Sequence, residues 1–273
     1  MSEYQYYEFQ KVDDRLSEME MRELRAVSSR ARITPTSFVN EYDFGNFKGN
    51  PDAWMEKYFD GFLYLANWGT REIHLAMPSG ALPLKVARRY CTDRAISIRE
   101  KSGKLIITFL SEEEPDGEWL EGDGVLSSLL QIRTELANGD LRSLYLGWLM
   151  GVQAGEVGEE EHEPSVPPNL GKLSGPQASL VDFFRLDQNL ETAAAENSSF
   201  TKAEPANRKK LSAWVASLPS QAKDEIIVRL MTGEGLKVGM ELHSQFRQEQ
   251  DAGLPKTAAK PRTVAKLLAK AKP

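Results

Sequence analysis

Fourteen of the chain's 24 aromatic residues fall between Tyr4 and Trp68. Each ring carries about 150–250 Å² of surface that must leave water, so this segment has to sit in a packed core. Tyr4–Val12 (YQYYEFQKV) is dense in residues that favour a strand. Trp54, Met55, Tyr58, Phe59 and Phe62 recur at helical spacing. Asn50 stands before them as an N-cap type, with Pro51 suited to the first helical position. Strand-forming and helix-forming aromatics in one short stretch predict an aromatic-rich α+β core.

The neighbouring patterns extend this reading. Ser17-x-x-Glu20 forms a capping box, and Met21, Leu24 and Val27 follow at spacing three, predicting a helix over Ser17–Ser29. Thr34-Pro35-Thr36 breaks the chain before a short strand at Phe38–Phe44. Phe62–Ala66 and the alternating Ile73, Leu75 and Met77 flank a turn at Asn67–Thr70 and predict a hairpin. Ser97–Arg99 and Lys104–Phe109 flank Lys101-Ser102-Gly103 and predict a second. Leu82–Tyr90, Gly124–Ala137 and Asp140–Ala154 carry helical patterns.

Composition then divides the chain. Residues 1–155 form the α+β domain. Residues 156–177 (EVGEEEHEPSVPPNLGKLSGPQ) are acidic and then rich in Pro and Gly, the composition of a linker. Residues 178–250 carry five helical segments, predicting a small C-terminal helical bundle. Its apolar stripes include Leu211, Trp214, Val215 and Leu218, and then Ile226, Ile227, Leu230 and Met231. Residues 251–273 are a basic tail, whose TVAKLLAKAK end reads as a short amphipathic helix. The tail's Lys256, Lys260, Arg262, Lys266, Lys270 and Lys272 contribute +6 to a net charge of −6, so residues 1–255 carry −12. An acidic body with a basic tail makes contact with nucleic acid, an acidic partner or the body itself an expectation.

Chemistry is sparsely represented. The three histidines and one cysteine contain no C-x-x-C or H-E-x-x-H spacing, which argues against a zinc site. His74 reads as a surface residue on the polar face of its strand, and His162 and His243 read as solvated. Cys91 reads as a small buried hydrophobe. No Walker-type loop, G-x-G-x-x-G or G-x-S-x-G occurs. The glycine-containing Phe44–Gly49 segment reads as a connection between strand and helix. Glu112, Glu113, Glu114, Asp116, Glu118, Glu121 and Asp123 could hold a divalent metal, although the segment lacks EF-hand spacing and reads first as an acidic loop. No catalytic residue, metal ligand or cofactor is assigned. Apolar runs stay under ten residues and the N-terminus has no signal-peptide pattern, so a soluble cytoplasmic protein without a membrane partner is expected.

Thr34–Gly49 (TPTSFVNEYDFGNFKG), Trp54–Gly69 (WMEKYFDGFLYLANWG), the YQYYEF opening and the VPP of the linker resemble an uncharacterised family of bacterial proteins with no established activity. The resemblance covers residues 4 to about 250. It implies a bacterial origin and a continuation into a charged helical region beyond this chain's end, and it supplies no catalytic residues. The absence of catalytic motifs, the aromatic-rich body, the acidic linker and the basic helix lead to the expectation of a non-catalytic adaptor or regulatory subunit of a bacterial multiprotein system. Tyr42, Trp54 and Trp68 are the candidate contacts for a protein partner. The alternatives are a nucleic-acid-binding accessory protein using the tail, helped by Arg30 and Arg32, and a divalent-metal enzyme using the 112–123 carboxylates.

Overall fold

The computed structural model describes residues 4–112, 122–200, 208–249 and 262–272. Its centre is an antiparallel sheet of seven strands: β1 (Gln5–Gln10), β2 (Arg32–Thr34), β3 (Ser37–Tyr42), β4 (Gly61–Ala66), β5 (Thr70–Pro78), β6 (Ile96–Lys101) and β7 (Lys104–Glu112), in the order β2-β3-β1-β4-β5-β7-β6. The fold is α+β. The β6–β7 turn places Ser102 at φ +54° and Gly103 at φ +74°. Two successive positive φ values match a tight primed hairpin turn, and glycine meets the second without strain. On the outer edge of β6, the Thr92 N–H donates to the Ile96 carbonyl (3.0 Å) and the Ile96 N–H donates to Thr92 Oγ1 (3.3 Å). The preceding loop thus blunts part of an edge that would otherwise be open to another strand.

Alternation along the strands builds two cores. On one face Tyr7 and Phe9 meet Phe38, Phe62, Trp54 and Phe59, with Phe9 and Phe62 ring centroids 4.5 Å apart. Two helices lie on this side, α1 (Glu18–Val27) and α2 (Pro51–Lys57). The Ser17–Glu20 capping box is formed in full, and the Asn50 side chain accepts from the Ala53 N–H. The other face is aliphatic: Leu63, Leu65, Ile73, Leu75, Ile96, Ile107 and Phe109. Helices α3 (Leu84–Ala87), α4 (Val125–Leu129), α5 (Ile132–Ala137) and α6 (Arg142–Gln153) precede the acidic stretch, and α7 (Gly175–Phe184) and α8 (Gln188–Ala195) follow it. Gly147 of α6 lies so close to the sheet that a Cβ there would stand 2.7 Å from Ile96 Cδ1. The helical pattern over Gly124–Ala137 is divided into α4 and α5 by tighter bonds, Arg133 N–H to Leu130 O and Thr134 N–H to Gln131 O.

The aliphatic core continues across residues 156–177. Val166 and Leu170 are buried within the segment, and Leu180, Phe184 and Leu190 beyond it join the same cluster as the sheet. Composition read this segment as a linker because it supplies little apolar surface of its own. What orders it is tertiary pairing. Glu163 is 8% exposed and accepts from Arg262, Asn197 and the Tyr145 hydroxyl. His162 and Thr263 form an isolated β-bridge. The end of the basic tail is helix α12 (Val264–Ala271), counting α9 (Arg208–Ser217), α10 (Ser220–Met231) and α11 (Gly235–Glu249) before it. It packs on α8 with Val264 and Leu267 fully buried.

Removing Arg262 would strand the buried Glu163 carboxylate. Arg262→Ala is expected to cost about 3–5 kcal/mol. Chemical denaturation of the mutant against the parent measures it, and a change below 1 kcal/mol, about the worth of an exposed pair, would deny the pair this role.

Candidate functional site

The structure separates the residues singled out by sequence. Trp54 is 7% exposed and lies inside the aromatic core, 4.9 Å from Phe38 ring to ring, because α2 presses it against β1 and β3. As a core residue it offers no surface to a partner. Tyr42 is half-buried against Tyr7, and Trp68 is exposed at the β4–β5 turn. In the tail, Arg262 is committed to Glu163 and Lys270 to Glu196, while Lys266 and Lys272 are exposed. Lys256 and Lys260 lie outside the described residues, as do Glu113, Glu114, Asp116, Glu118 and Glu121. Glu112 pairs with Arg94, and Asp123 is exposed. Among the described residues no three His, Cys, Asp or Glu side chains are grouped to hold a metal ion. No described helix is long and apolar enough to cross a membrane.

His74 departs from its surface reading. It is 2% exposed on a central strand, with its ring 5.0 Å from that of Phe62 and Nε2 2.6 Å from Glu72 Oε1. The alternation that placed it opposite Ile73 and Leu75 was sound, but that second face is covered as well. Cys91 is half-buried, and burial raises its thiol above the usual range, as befits an inert sulfur.

Two features stand out. The first is the α9–α11 surface. The apolar stripe of α10 suggested a bundle core, yet α10 contains no buried residue. Ile227, Val228, Leu230 and Met231 are 53%, 58%, 47% and 84% exposed. Val215 on α9 and Leu236 on α11 are exposed too. The helices are fastened by other residues, through ion pairs and one ring contact. Arg229 of α10 bonds Glu234 and Glu241, and Trp214 of α9 donates to Glu249 and packs on Phe246 of α11. With the hairpin held from its inner side, its apolar residues are left facing out.

The second is a buried charge cluster at one end of the sheet. Asp60, after α2, accepts from the Val12 and Asp13 N–H groups at 3.0 and 3.1 Å and from Lys104 Nζ at 3.2 Å. Lys104 also caps the carbonyls of Met55 and Phe59. Arg133, from the helices on the opposite face, reaches the Ala76 carbonyl and Asp13. Burial works against ionisation of Asp60, but the Arg133 and Lys104 charges and two backbone donors outweigh it and hold the carboxyl below its usual range. Asp13 moves the other way: burial raises it, the Asp60 charge adds to this, and Arg133 only partly compensates. A cavity of about 580 Å³ opens beside this cluster, and a larger cleft of about 840 Å³ lies beside the aliphatic face of β1. Its floor contains Glu8, a buried carboxylate whose pKa is raised by burial.

Comparison with family models, curated proteins and solved structures finds no match to this chain.

Asp60 binds its proton more weakly in the fold than in the unfolded chain. Its contribution is therefore present above its ordinary value of 3.8 and is lost as pH falls through the lower folded value. Asp60→Asn is expected to be less stable at neutral pH and to lose less on acidification below pH 3.8. Urea midpoints of both proteins across this range measure the difference. Parallel pH profiles would show that Asp60 is not the responsible group.

Proposed function

We propose that the chain is a non-catalytic adaptor or regulatory subunit of a bacterial multiprotein system, acting through protein–protein contacts on the α9–α11 surface. The observation that carries this reading is the outward stripe of α10. Six of the ten large apolar side chains exposed among the described residues lie between Val215 and Leu236. Exposed apolar side chains scattered singly need no explanation, whereas Ile227, Val228, Leu230 and Met231 stand within five residues of one helix, the pattern of an interaction surface. Leaving them in water forgoes about 1.5–3 kcal/mol for each side chain of this size that a partner would cover. The occupant that fits is a partner protein with an apolar helix or groove of its own, since two such faces bury each other. The bacterial setting rests on the resemblance at 34–49 and 54–69.

The tail contributes less to a nucleic-acid reading than its charge suggests. Of its four described bases, Arg262 and Lys270 are already paired with acids of the body.

Ile227→Asp combined with Met231→Asp tests the proposal. Both side chains are exposed, so the thermal midpoint is expected to stay within a few degrees of the parent. Affinity capture from a bacterial lysate by the parent chain should enrich a defined protein, and the double variant should lose it. An unchanged set of captured proteins would overturn the proposal. Concentration-dependent dimerisation that the same substitutions abolish would overturn it in favour of a second copy of this chain as the occupant.

A further inference from the structure

The larger cleft shares Leu236 with the α9–α11 surface but none of the four exposed residues of the α10 stripe. It lies where the aliphatic face of β1–β3–β2 runs out from beneath the helices and meets the α10–α11 turn at Thr232, Gly233 and Leu236. Its volume, about 840 Å³, is within the range of small-ligand sites.

Glu8 gives the cleft its chemistry. It is 5% exposed and stands directly between Val39 on β3 and Leu63 on β4. A carboxylate between two aliphatic neighbours works against the fold unless it is bonded. Here the Tyr6 hydroxyl donates to it at 3.0 Å and the Gln10 amide at 2.6 Å, and Gln10 also donates to Ser127 at 2.8 Å. These donors fix the carboxylate at the cleft floor but use only part of its capacity as an acceptor.

The walls carry both signs of charge. Lys11, Arg15 and Arg32 line the cleft together with Glu8, Asp14 and Asp123. Among the described residues, the guanidinium groups of Arg15 and Arg32 make no hydrogen bond or close ion pair. Arg32 stands in the same cross-strand row as Val39 and Glu8, and its charge already acts on the Glu8 carboxylate from there. Equal numbers of acids and bases give a polyanion no net attraction. Guanidinium groups with open N–H donors match a carboxylate in two-point geometry, and the neighbouring acids suit an ammonium group. The hydroxyls of Thr34 and Ser37, 2.7 Å apart at the β2–β3 turn, add neutral donors on the same side as Arg32.

We propose that this cleft binds a small zwitterion carrying one carboxylate and one ammonium group, the chemistry of a free amino acid or of the two termini of a short peptide. Arg15 and Arg32 receive the carboxylate. Glu8, with Asp123 near it, receives the ammonium. The raised pKa of its carboxyl, caused first by burial, agrees with a negative site that is completed by an incoming cation.

The test uses the full chain and named probes. The common L-amino acids and the dipeptide Ala-Ala are titrated calorimetrically and in thermal-shift assays. N-acetyl and C-amide forms of any binder, together with acetate and methylamine, serve as controls. One or more zwitterions should bind at one site per chain and raise the melting temperature. Blocking either charged group should weaken binding by about tenfold or more, as expected for losing a charge-assisted contact. Arg15→Gln with Arg32→Gln, which alters two exposed side chains, should weaken the same ligand by a similar factor while the free protein keeps a single cooperative thermal transition. Glu8→Gln should abolish the preference for a free ammonium. Binding by free amino acids alone identifies that source, and binding by Ala-Ala alone identifies peptide termini. No binding by any zwitterion at millimolar concentration would overturn the proposal. So would equal binding of acetate or methylamine, or full affinity in the double arginine variant.

Discussion

The centre of the sheet is buried on both faces, and the rest of the structure depends on that. Strand β4 is apolar or aromatic at almost every position and β5 is buried from Ile73 to Met77, so neither face of this centre can be left to water. One face is closed by α1 and α2 through aromatic rings, and the other by the later helices through aliphatic side chains. The division follows strand alternation: Tyr7 and Phe9 point one way, Tyr6 and Glu8 the other. A single-residue slip in β1 would exchange these sets and put Glu8 among the aromatics.

Two ionic devices tie the layers together. Asp60, Lys104, Asp13 and Arg133 join the end of α2, the loop after β1, the start of β7 and α5 across the sheet. Glu163 and Arg262 fasten the acidic stretch to the C-terminal helix. Both are buried, so their value lies less in net attraction than in specificity: each charge has an acceptable environment in only one arrangement. The charge contrast between body and tail thus has a structural use. Two of the tail's bases neutralise acids of the body.

Local signals were legible wherever the chain decides its own conformation. The capping box at Ser17, the Asn50–Pro51 helix start and the Ser102-Gly103 turn all depend on neighbouring residues, and all are formed. Signals that depend on what covers a face were not legible. The α10 stripe has the same spacing as a core-facing helix, and only the surroundings distinguish the two. The same ambiguity hid Trp54, whose ring would serve a partner or the core equally well. Glu8 could have been flagged as an acid in a strand of aromatics, facing the same way as Tyr6. That both of its cross-strand neighbours are aliphatic requires the register.

The sequence by itself determined the α+β class, most element positions and the scarcity of histidine and cysteine chemistry, because periodicity, caps and turns act over a few residues. Only the tertiary structure decided which faces are covered. It put His74 and Trp54 inside, turned α10 outward, ordered the acidic Pro/Gly stretch and gathered Arg15, Arg32 and Glu8 into the lining of one cleft. The physical reason is that burial and ion pairing join residues far apart in the chain, such as Glu163 and Arg262, and no local pattern encodes which distant partner will arrive.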